Sequence, residues 1–406
     1  MAQGMDHLLS DLRVLDLTRA LAGPSCTRMM VEMGAEVIKV EPAPGGDMVR
    51  GISVFRNDRS LYYVQQNRGK KSLCVNLRDP QGLALVTELI PQVDVVVENF
   101  KPGVIANMGL GYERLKELKS DIILCSISAL GQSGPLSNTP GYDYIAQAYS
   151  GVTSMIGEPD DAPYIPLVGL GDVSTGVHAA LAIVSALRYR DRAGVGQHLD
   201  IALLDVYYHY HEANVETYSG SGGQVKPTRS GRFMTYACPC GVFRGKGGYL
   251  VIMALLHHWK DLCKALGKDE LANHPDYVTD VKRLERRDEI VAMVEDWLQT
   301  FPDVPSAVEY LEQHGVPVAP VLSVAETVHH PHHRARGTVR TVNDPVHGEF
   351  EMPGMPLKFS AFPEPLPLVA PTLGQHNEEV LTTYLGRSVE DVQKLREAGV
   401  LLEKNS

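Results

Sequence analysis

The sequence predicts an α/β protein in which a Rossmann-like large domain, built on a parallel sheet, is followed by a smaller α+β domain. Three observations predict it. Short β-rich runs alternate with helical patterns through the first half, those runs are almost continuously apolar, and the texture changes after a Gly-, Ser- and basic-rich stretch at Ser219–Arg232. A strand that is apolar along its whole length is buried on both faces, as in a parallel sheet covered by helices.

The elements follow in order. Arg13–Leu17 reads as the first strand, with a helix over roughly Cys26–Gly34 and a second strand at Glu36–Val40. Pro80–Ile90 is helical, and Asp94–Glu98 and Asp121–Ser126 are further strands. A long apolar helix spans Thr175–Arg188, then a Gly-Val-Gly-Gln turn leads to the strand His198–Ala202 and a helix starting near Asp205. These segments make residues 1–218 the first part of the large domain, and 219–232 the linker. In 233–323, Gly241–Phe243 and Tyr249–Met253 look like paired strands, followed by helices at His258–Leu266, Arg287–Thr300 and Val304–His314. The proline-rich remainder, 324–406, reads as a linker and extended segments before a last helix at Val389–Ala398. No internal repeat stands out.

Composition excludes several function classes. A chain of 406 residues with 38 basic and 49 acidic side chains carries a net charge of −11. That disfavours nucleic-acid binding, which needs a basic surface to neutralise phosphates. The N-terminus shows no basic region followed by an apolar run, so no signal peptide is expected. The most apolar stretches, such as Val177–Leu187, are shorter than the ~20 residues of a membrane span. Six scattered cysteines read as a reduced, cytoplasmic set rather than a disulfide framework.

The informative motif is Gly169-Leu170-Gly171-Asp172-Val173-Ser174-Thr175-Gly176. Two glycines before the acid allow a sharp turn and a close ligand approach. The following helix start favours negative charge, and its amides are candidate donors to an oxyanion. A carboxylate attacking an acyl donor forms a mixed anhydride, and aspartate is ionised at neutral pH without an auxiliary base. The plainer alternative is that Asp172 or Ser174 caps the helix.

At this motif the chain resembles the class III CoA-transferases, the family of formyl-CoA:oxalate and carnitine CoA-transferases and of the related α-methylacyl-CoA racemase. The resemblance runs over nearly the whole chain. It rests on VLDLTRALAGPSCTRMMVEMGAEVIKVEPAPGGDMVR, NRGKKSLCVNLRDPQG, DVVVENFKPG, SISALGQSGP, GYDYIAQAYSG, the Asp172 motif, GVGQHLDIALLD and HPHHRARG, in family order. It implies that Asp172 is the catalytic aspartate, forming an aspartyl-CoA thioester while CoA moves from an acyl-CoA donor to a small carboxylic acid. It further implies CoA contacts at Leu21 and Ala22, at Asn99, Phe100 and Lys101, and at Val75, Asn76, Leu77 and Arg78. Arg50, Lys71 and Arg78 are then the cations expected at the phosphates. Coenzyme A is a substrate, and no permanently bound cofactor or metal is implied. Other implications are a C-terminal segment returning to the large domain and an interlocked homodimer.

Tyr142 and Asp143 complete the expected site. The racemase branch reads Gly-His-Asp at this point, because α-proton exchange needs a base of near-neutral pKa, whereas this chain reads Gly141-Tyr142-Asp143. An acyl-CoA racemase or epimerase is the alternative reading, and a non-catalytic CoA-binding protein a further one. The departures from formyl-CoA transferases are Leu21 for a glutamine, Asn107 for an arginine, and the absence of a clear glycine run in TYACPCGVFRGKGG. They weigh against oxalate as the acceptor. Cys238-Pro239-Cys240 lacks a second ligand pair, and the histidines at 329, 330, 332 and 333 read as a surface turn around Pro331. Walker A, H-E-x-x-H and dinucleotide-binding patterns are all missing from the sequence.

Overall fold

The computed structural model describes residues 7–52, 54–255 and 257–404. By internal contacts the chain divides into two units. Unit one takes in the chain up to Val152, Pro166–Glu212 and everything from Pro331 onward, and unit two comprises Thr153–Ile165 and Ala213–His330.

Unit one is built on six strands: β1 Arg13–Asp16, β2 Glu36–Pro42, β3 Lys71–Val75, β4 Val95–Glu98, β5 Ile123–Ser128 and β6 His198–Ala202. All are parallel, in the spatial order β3-β2-β1-β4-β5-β6. The apolar runs behave as the sequence predicts, since β4 and β5 are buried at every residue. The chain lays strands outward from β1 in one direction, then returns and lays the rest in the other. Such an order leaves a crevice beyond the carboxyl ends of β1 and β4, where the connections diverge.

Helices cover both faces. On one side α1 (Ala22–Glu32) and the long α6 (Leu170–Ala193) pack on Val14, Val37, Val95, Val97 and Ile123. The two helices approach closely because they meet at small residues: a Cβ on Gly176 would lie 2.8 Å from the Ala22 carbonyl oxygen and from Ser25 Cβ. Although α6 has 24 residues and is apolar enough by length to cross a membrane, Ala179, Ala180, Ile183, Ala186 and Leu187 are core residues of this unit. It ends at Gly194, whose φ of +69° is the left-handed conformation that stops a helix. The other face carries α3 (Pro80–Leu89) and α4 (Tyr112–Leu118), together with two C-terminal helices, Asn377–Leu385 and Val389–Glu397. Val380, Leu381 and Val392 from those last helices lie in the same core as Leu73 and Leu124, so the chain end returns to the sheet.

Unit two holds a three-stranded antiparallel sheet, Cys240–Gly245, Gly248–Met253 and Val318–Pro320, with helices at His258–Ala265, Arg287–Leu298 and Val304–Gln313 packed on it through Phe243, Leu250, Trp259 and Leu311. The six cysteines are buried free thiols.

Candidate active site

The residues gathered at the carboxyl ends of β1 and β4 rest on a buried charge network. Asp16, the last residue of β1, accepts hydrogen bonds from Thr18 N at 2.8 Å and Thr27 Oγ1 at 2.7 Å, and pairs with Lys70 Nζ at 3.0 Å. Lys39 bridges Asp47 at 2.9 Å and the Thr18 carbonyl at 2.8 Å. Asp47 in turn accepts from Ala20 N at 3.2 Å, and Ala20 sits at φ +63°, strained for a residue with a Cβ. Desolvation alone would raise Asp16, yet Lys70, Lys39 and the two threonines hold it well below the ordinary aspartate value. Burial pulls Lys70 down to about 8 despite Asp16. Four buried charges thus fix the Thr18–Leu21 loop in one conformation.

That loop is tied to the one after β4. Arg19 N donates to Asn99 Oδ1 at 2.8 Å and Asn99 Nδ2 returns a bond to the Arg19 carbonyl at 2.8 Å. The Arg19 guanidinium lies over the Phe100 ring, 5.0 Å from its centre. Of the expected binding residues, Leu21, Ala22, Asn99, Phe100 and Lys101 therefore meet at the crevice that the strand order creates. Arg19 joins them as an exposed cation, unnoticed in the sequence although it lies in the motif VLDLTRALAG.

Asp172 sits in the first turn of α6, which begins at Leu170 and not at Thr175 as the pattern predicts. The early start matters. The N-cap is Gly169 and no side chain caps the helix, so neither Asp172 nor Ser174 plays the capping role. Among the described residues the Asp172 carboxylate takes part in no hydrogen bond, while its backbone N–H donates to Asp143 Oδ2 at 3.1 Å. A Cβ on Gly169 would lie 2.7 Å from Leu21 Cδ2, which puts the β1 loop beside the start of α6.

Burial raises the Asp172 carboxyl to about 7, and the charge of Asp143 adds to the effect. Full ionisation at neutral pH, expected from the residue type, is thus not what its surroundings give: near pH 7 roughly half carries the proton. Tyr62, on α2 (Leu61–Asn67), is close enough that its phenol is pushed up to about 12, by burial first and then by Asp172. Nothing in the sequence pattern singles Tyr62 out.

Behind Asp172 lies a second network. The hydroxyl of Tyr207, on α7 (Leu203–His209), donates to Asp143 Oδ1, and accepts from Gly171 N at 2.9 Å and Gln147 Nε2 at 3.1 Å. A Cβ on Gly171 would lie 2.2 Å from Tyr207 Cε2, so only glycine lets the helix start lie against that ring. The amides of Gly171 and Asp172 are therefore already committed. The expectation that the start of α6 supplies oxyanion donors is corrected by those two bonds. In contrast, α1 has Leu21 as its N-cap with no side-chain cap, and in its first turn Ala22 and Gly23 carry backbone N–H groups while Pro24 has none.

The remaining expected residues are distributed unevenly. Tyr142 is 79% exposed, not packed, whereas Asp143 is 8% exposed with its carboxylate bound to Tyr207 and Asp172. Val75 is wholly buried in the core, and Leu77 packs partly against it. Asn76 Oδ1 accepts from Arg78 N at 3.1 Å, and Arg78 points outward with no carboxylate partner. Arg50 is engaged bidentately by Glu41 at 2.7 Å on each side and stacks on Tyr63 at 3.6 Å. Lys71 pairs with Glu36 and Glu379 at the amino end of β3, away from the crevice. Arg19, Arg78 and Lys101 thus remain as cations at strand carboxyl ends that no carboxylate neutralises among the described residues.

Comparison with known proteins gives a consistent picture. Residues 9–377 match the family described as CoA-transferase family III. The succinyl-CoA–D-citramalate CoA-transferase of Chloroflexus aurantiacus is 34% identical over 396 residues, 97% of this chain and 98% of that protein. The succinyl-CoA:glutarate CoA-transferase of Mus musculus is 35% identical over 404 residues, covering 97% and 90%. A formyl-CoA:oxalate CoA-transferase of Rhodopseudomonas palustris is 32% identical over 420 residues, covering 98% of each. Among solved structures, a CAIB/BAIF family protein from Brucella suis superposes with a TM-score of 0.82 at 32% identity, covering 92% of this chain and 98% of that one.

Proposed function

The chain belongs to CoA-transferase family III, and from that membership we propose that its CoA-transferase reaction runs through Asp172. One ionised Asp172 oxygen attacks the carbonyl carbon of the donor acyl-CoA. The C–S bond breaks, leaving an acyl-aspartyl anhydride and CoA thiolate. The thiolate attacks the aspartyl carbonyl, expels the donor acid as its carboxylate and leaves an aspartyl-CoA thioester. An acceptor carboxylate then attacks that thioester, and the released thiolate takes the acceptor's acyl group, restoring the Asp172 carboxylate.

The observation that carries this reading is the state of Asp172: half-buried, uncapped and without a hydrogen-bond partner among the described residues, beside the β1 loop. A carboxylate lacking donors is poorly stabilised as an anion, and forming a covalent ester removes that cost. The first-turn amides of α1 are the donors we assign to the tetrahedral oxyanion, since those of α6 are occupied. Arg19, Lys101 and Arg78 are the cations we assign to CoA phosphates, in preference to Arg50 and Lys71, whose charges are matched by glutamates. The racemase alternative is not favoured, because the named relatives are transferases.

Those relatives pair succinyl-CoA or formyl-CoA with citramalate, glutarate or oxalate, all dicarboxylic acids. Dicarboxylates are accordingly the acceptors we propose. The decisive experiment incubates the enzyme with acyl-CoA alone, adds hydroxylamine and maps the product by mass spectrometry. A hydroxamate on Asp172, together with loss of exchange in Asp172→Ala, is the expected result; full turnover by that variant sinks the reading. We also propose a homodimer working in the cytoplasm. An exposed apolar row on α6, Val173, Val177, Leu181 and Val184, supports a covering subunit, and the six unpaired thiols support a reducing compartment. Light scattering should then give twice the chain mass of 44.5 kDa.

A further inference from the structure

Unit one contains a second concentration of positive charge, remote from Asp172. A cavity of about 630 Å³ lies beside the carboxyl end of α1, lined by His7, Glu32, Arg336, Arg340, Lys358 and Phe362 among others. The 11 residues of α1, roughly 16 Å of helix, separate it from the loop that meets Asp172. On a chain of net charge −11 its lining still carries more basic than acidic side chains: Arg334, Arg336, Arg340 and Lys358 against Glu32 and Glu364, with Arg334 paired to Glu351.

Its charges are not balanced internally. Glu32 accepts hydrogen bonds from both Arg28 and Arg68, two buried guanidiniums sharing one carboxylate. Arg340 adds a third positive charge to them. Its Nη2 donates only to the Leu366 carbonyl at 3.1 Å, and its Nη1 is buried with no partner. The Nε atoms of Arg28 and Arg68 and the Nδ1 of His7, itself 8% exposed, are likewise buried without partners. Lys358 Nζ donates to the Met355 carbonyl at 2.9 Å, and Arg336 is exposed at the mouth. Burial above all draws Arg68 down to about 10, and Arg28 and Arg340 pull in the same direction against Glu32. Of the unpartnered donors, those of Arg340 and His7 belong to residues that line the cavity, and the excess positive charge that Arg28 and Arg68 place behind them is costly unless an anion offsets it.

The lining also has an apolar part. Phe362 stacks on His7 with ring centres 4.4 Å apart, and Met355, Leu357, Phe359 and Leu366 extend the surface. We propose that this cavity is a binding site for an organic anion, with a carboxylate or equivalent head on Arg340, Arg336 and Lys358 and an apolar body against Phe359 and Phe362. Its volume falls within the usual range of small-molecule sites. The site does not depend on the role given to Asp172. It would let an acid in the surroundings stabilise unit one, relieving the repulsion among Arg28, Arg68 and Arg340.

The test uses full-length enzyme with saturating CoA, and 8-anilinonaphthalene-1-sulfonate as the probe, an aromatic body with one anionic group. Fluorescence titration should show one class of site that survives CoA, with affinity reduced at least tenfold in Arg340→Met and unchanged CoA exchange. Octanoate should displace the probe, and octanamide should not. Because Arg340→Met removes a half-buried group, a second variant with Arg336→Met and Lys358→Met, both toward solvent, should weaken binding at least threefold. Unchanged affinity in a folded variant of either kind overturns the proposal. So does equal displacement by octanamide, which would mean an apolar patch only, or complete loss of the probe on adding CoA.

Discussion

At the scale of single residues, what distinguishes Asp172 is what it lacks. Most buried carboxylates here are matched: Glu41 has Arg50, Ser72 and Tyr63, and Asp16 has Lys70, Thr18 and Thr27. Asp172 has none of these; burial first, and then the negative charge of Asp143, raise it to about 7. The nucleophile is the ionised form, so transfer should decline as pH falls through 7, giving an acid limb near that value in the pH profile of kcat/KM. Replacing Asp143 by Asn removes the smaller of the two causes and leaves burial, the larger. The limb should move to lower pH without reaching the range of a free aspartate; a limb that stays put would show that Asp143 does not act electrostatically. Tyr207→Phe is a different probe. It leaves Gly171 N without an acceptor and frees Asp143 of its donor, at a cost of about 1–3 kcal/mol. Turnover should fall while the KM for acyl-CoA changes little, since neither atom lies among the residues assigned to CoA.

At the scale of elements, the site depends on loops pinned from below. The Thr18–Leu21 loop is held by Asp16, Lys70, Lys39 and Asp47, all essentially excluded from solvent. Removing one member of a buried pair leaves an uncompensated charge, so Lys70→Met should lower stability by about 3–5 kcal/mol in urea unfolding and loosen the loop that carries Leu21. This network was not legible in the sequence. Lys39 and Lys70 lie far from Asp16 along the chain, and the parallel pairing of β1 with β2 and of β2 with β3 brings them, with Asp47, under one loop. The strands themselves were legible, because continuous apolar runs have one physical use. Arg13–Leu17, Asp94–Glu98 and His198–Ala202 each match an observed strand to within a residue. The start of α6 was not, because Leu170 and Gly171 follow Gly169, and glycine is a poor helix former on propensity alone. They are helical here because Tyr207 accepts the Gly171 amide and Asp143 the Asp172 amide, tertiary contacts that no local pattern contains. The same displacement explains the two cations that the motif reading placed at the phosphates: charge is visible in a sequence, but Glu41 beside Arg50 and Glu36 beside Lys71 are visible only once the strands are paired.

At the scale of the whole molecule, the two kinds of carboxylate pull stability in opposite directions with pH. Glu41 is held down at about 2, with its pairing to Arg50 outweighing burial, so its contribution is present above the ordinary glutamate value and is lost as pH falls toward 2. Asp172 has the reverse sign. Between the ordinary aspartate value of 3.8 and its folded value of about 7, the native state keeps a proton that the unfolded chain has released. Raising pH through that window therefore destabilises the fold, and above 7 the full cost is present. A shift of this size corresponds to about 4 kcal/mol at 1.4 kcal/mol per unit, which solvent access to a half-buried group reduces to about 2 kcal/mol. Asp172→Asn removes the titration and keeps the shape. Its melting temperature should equal that of the wild type near pH 4, exceed it progressively through pH 5 and 6, and stay above it by a constant margin beyond pH 8. An enzyme gives up stability at the residue it uses for chemistry, and here the concession develops between about pH 4 and pH 7 and is present in full above that. If the two melting curves run parallel from pH 4 to pH 8, the Asp172 carboxyl is not raised, and the uncompensated nucleophile on which the mechanism rests is not present.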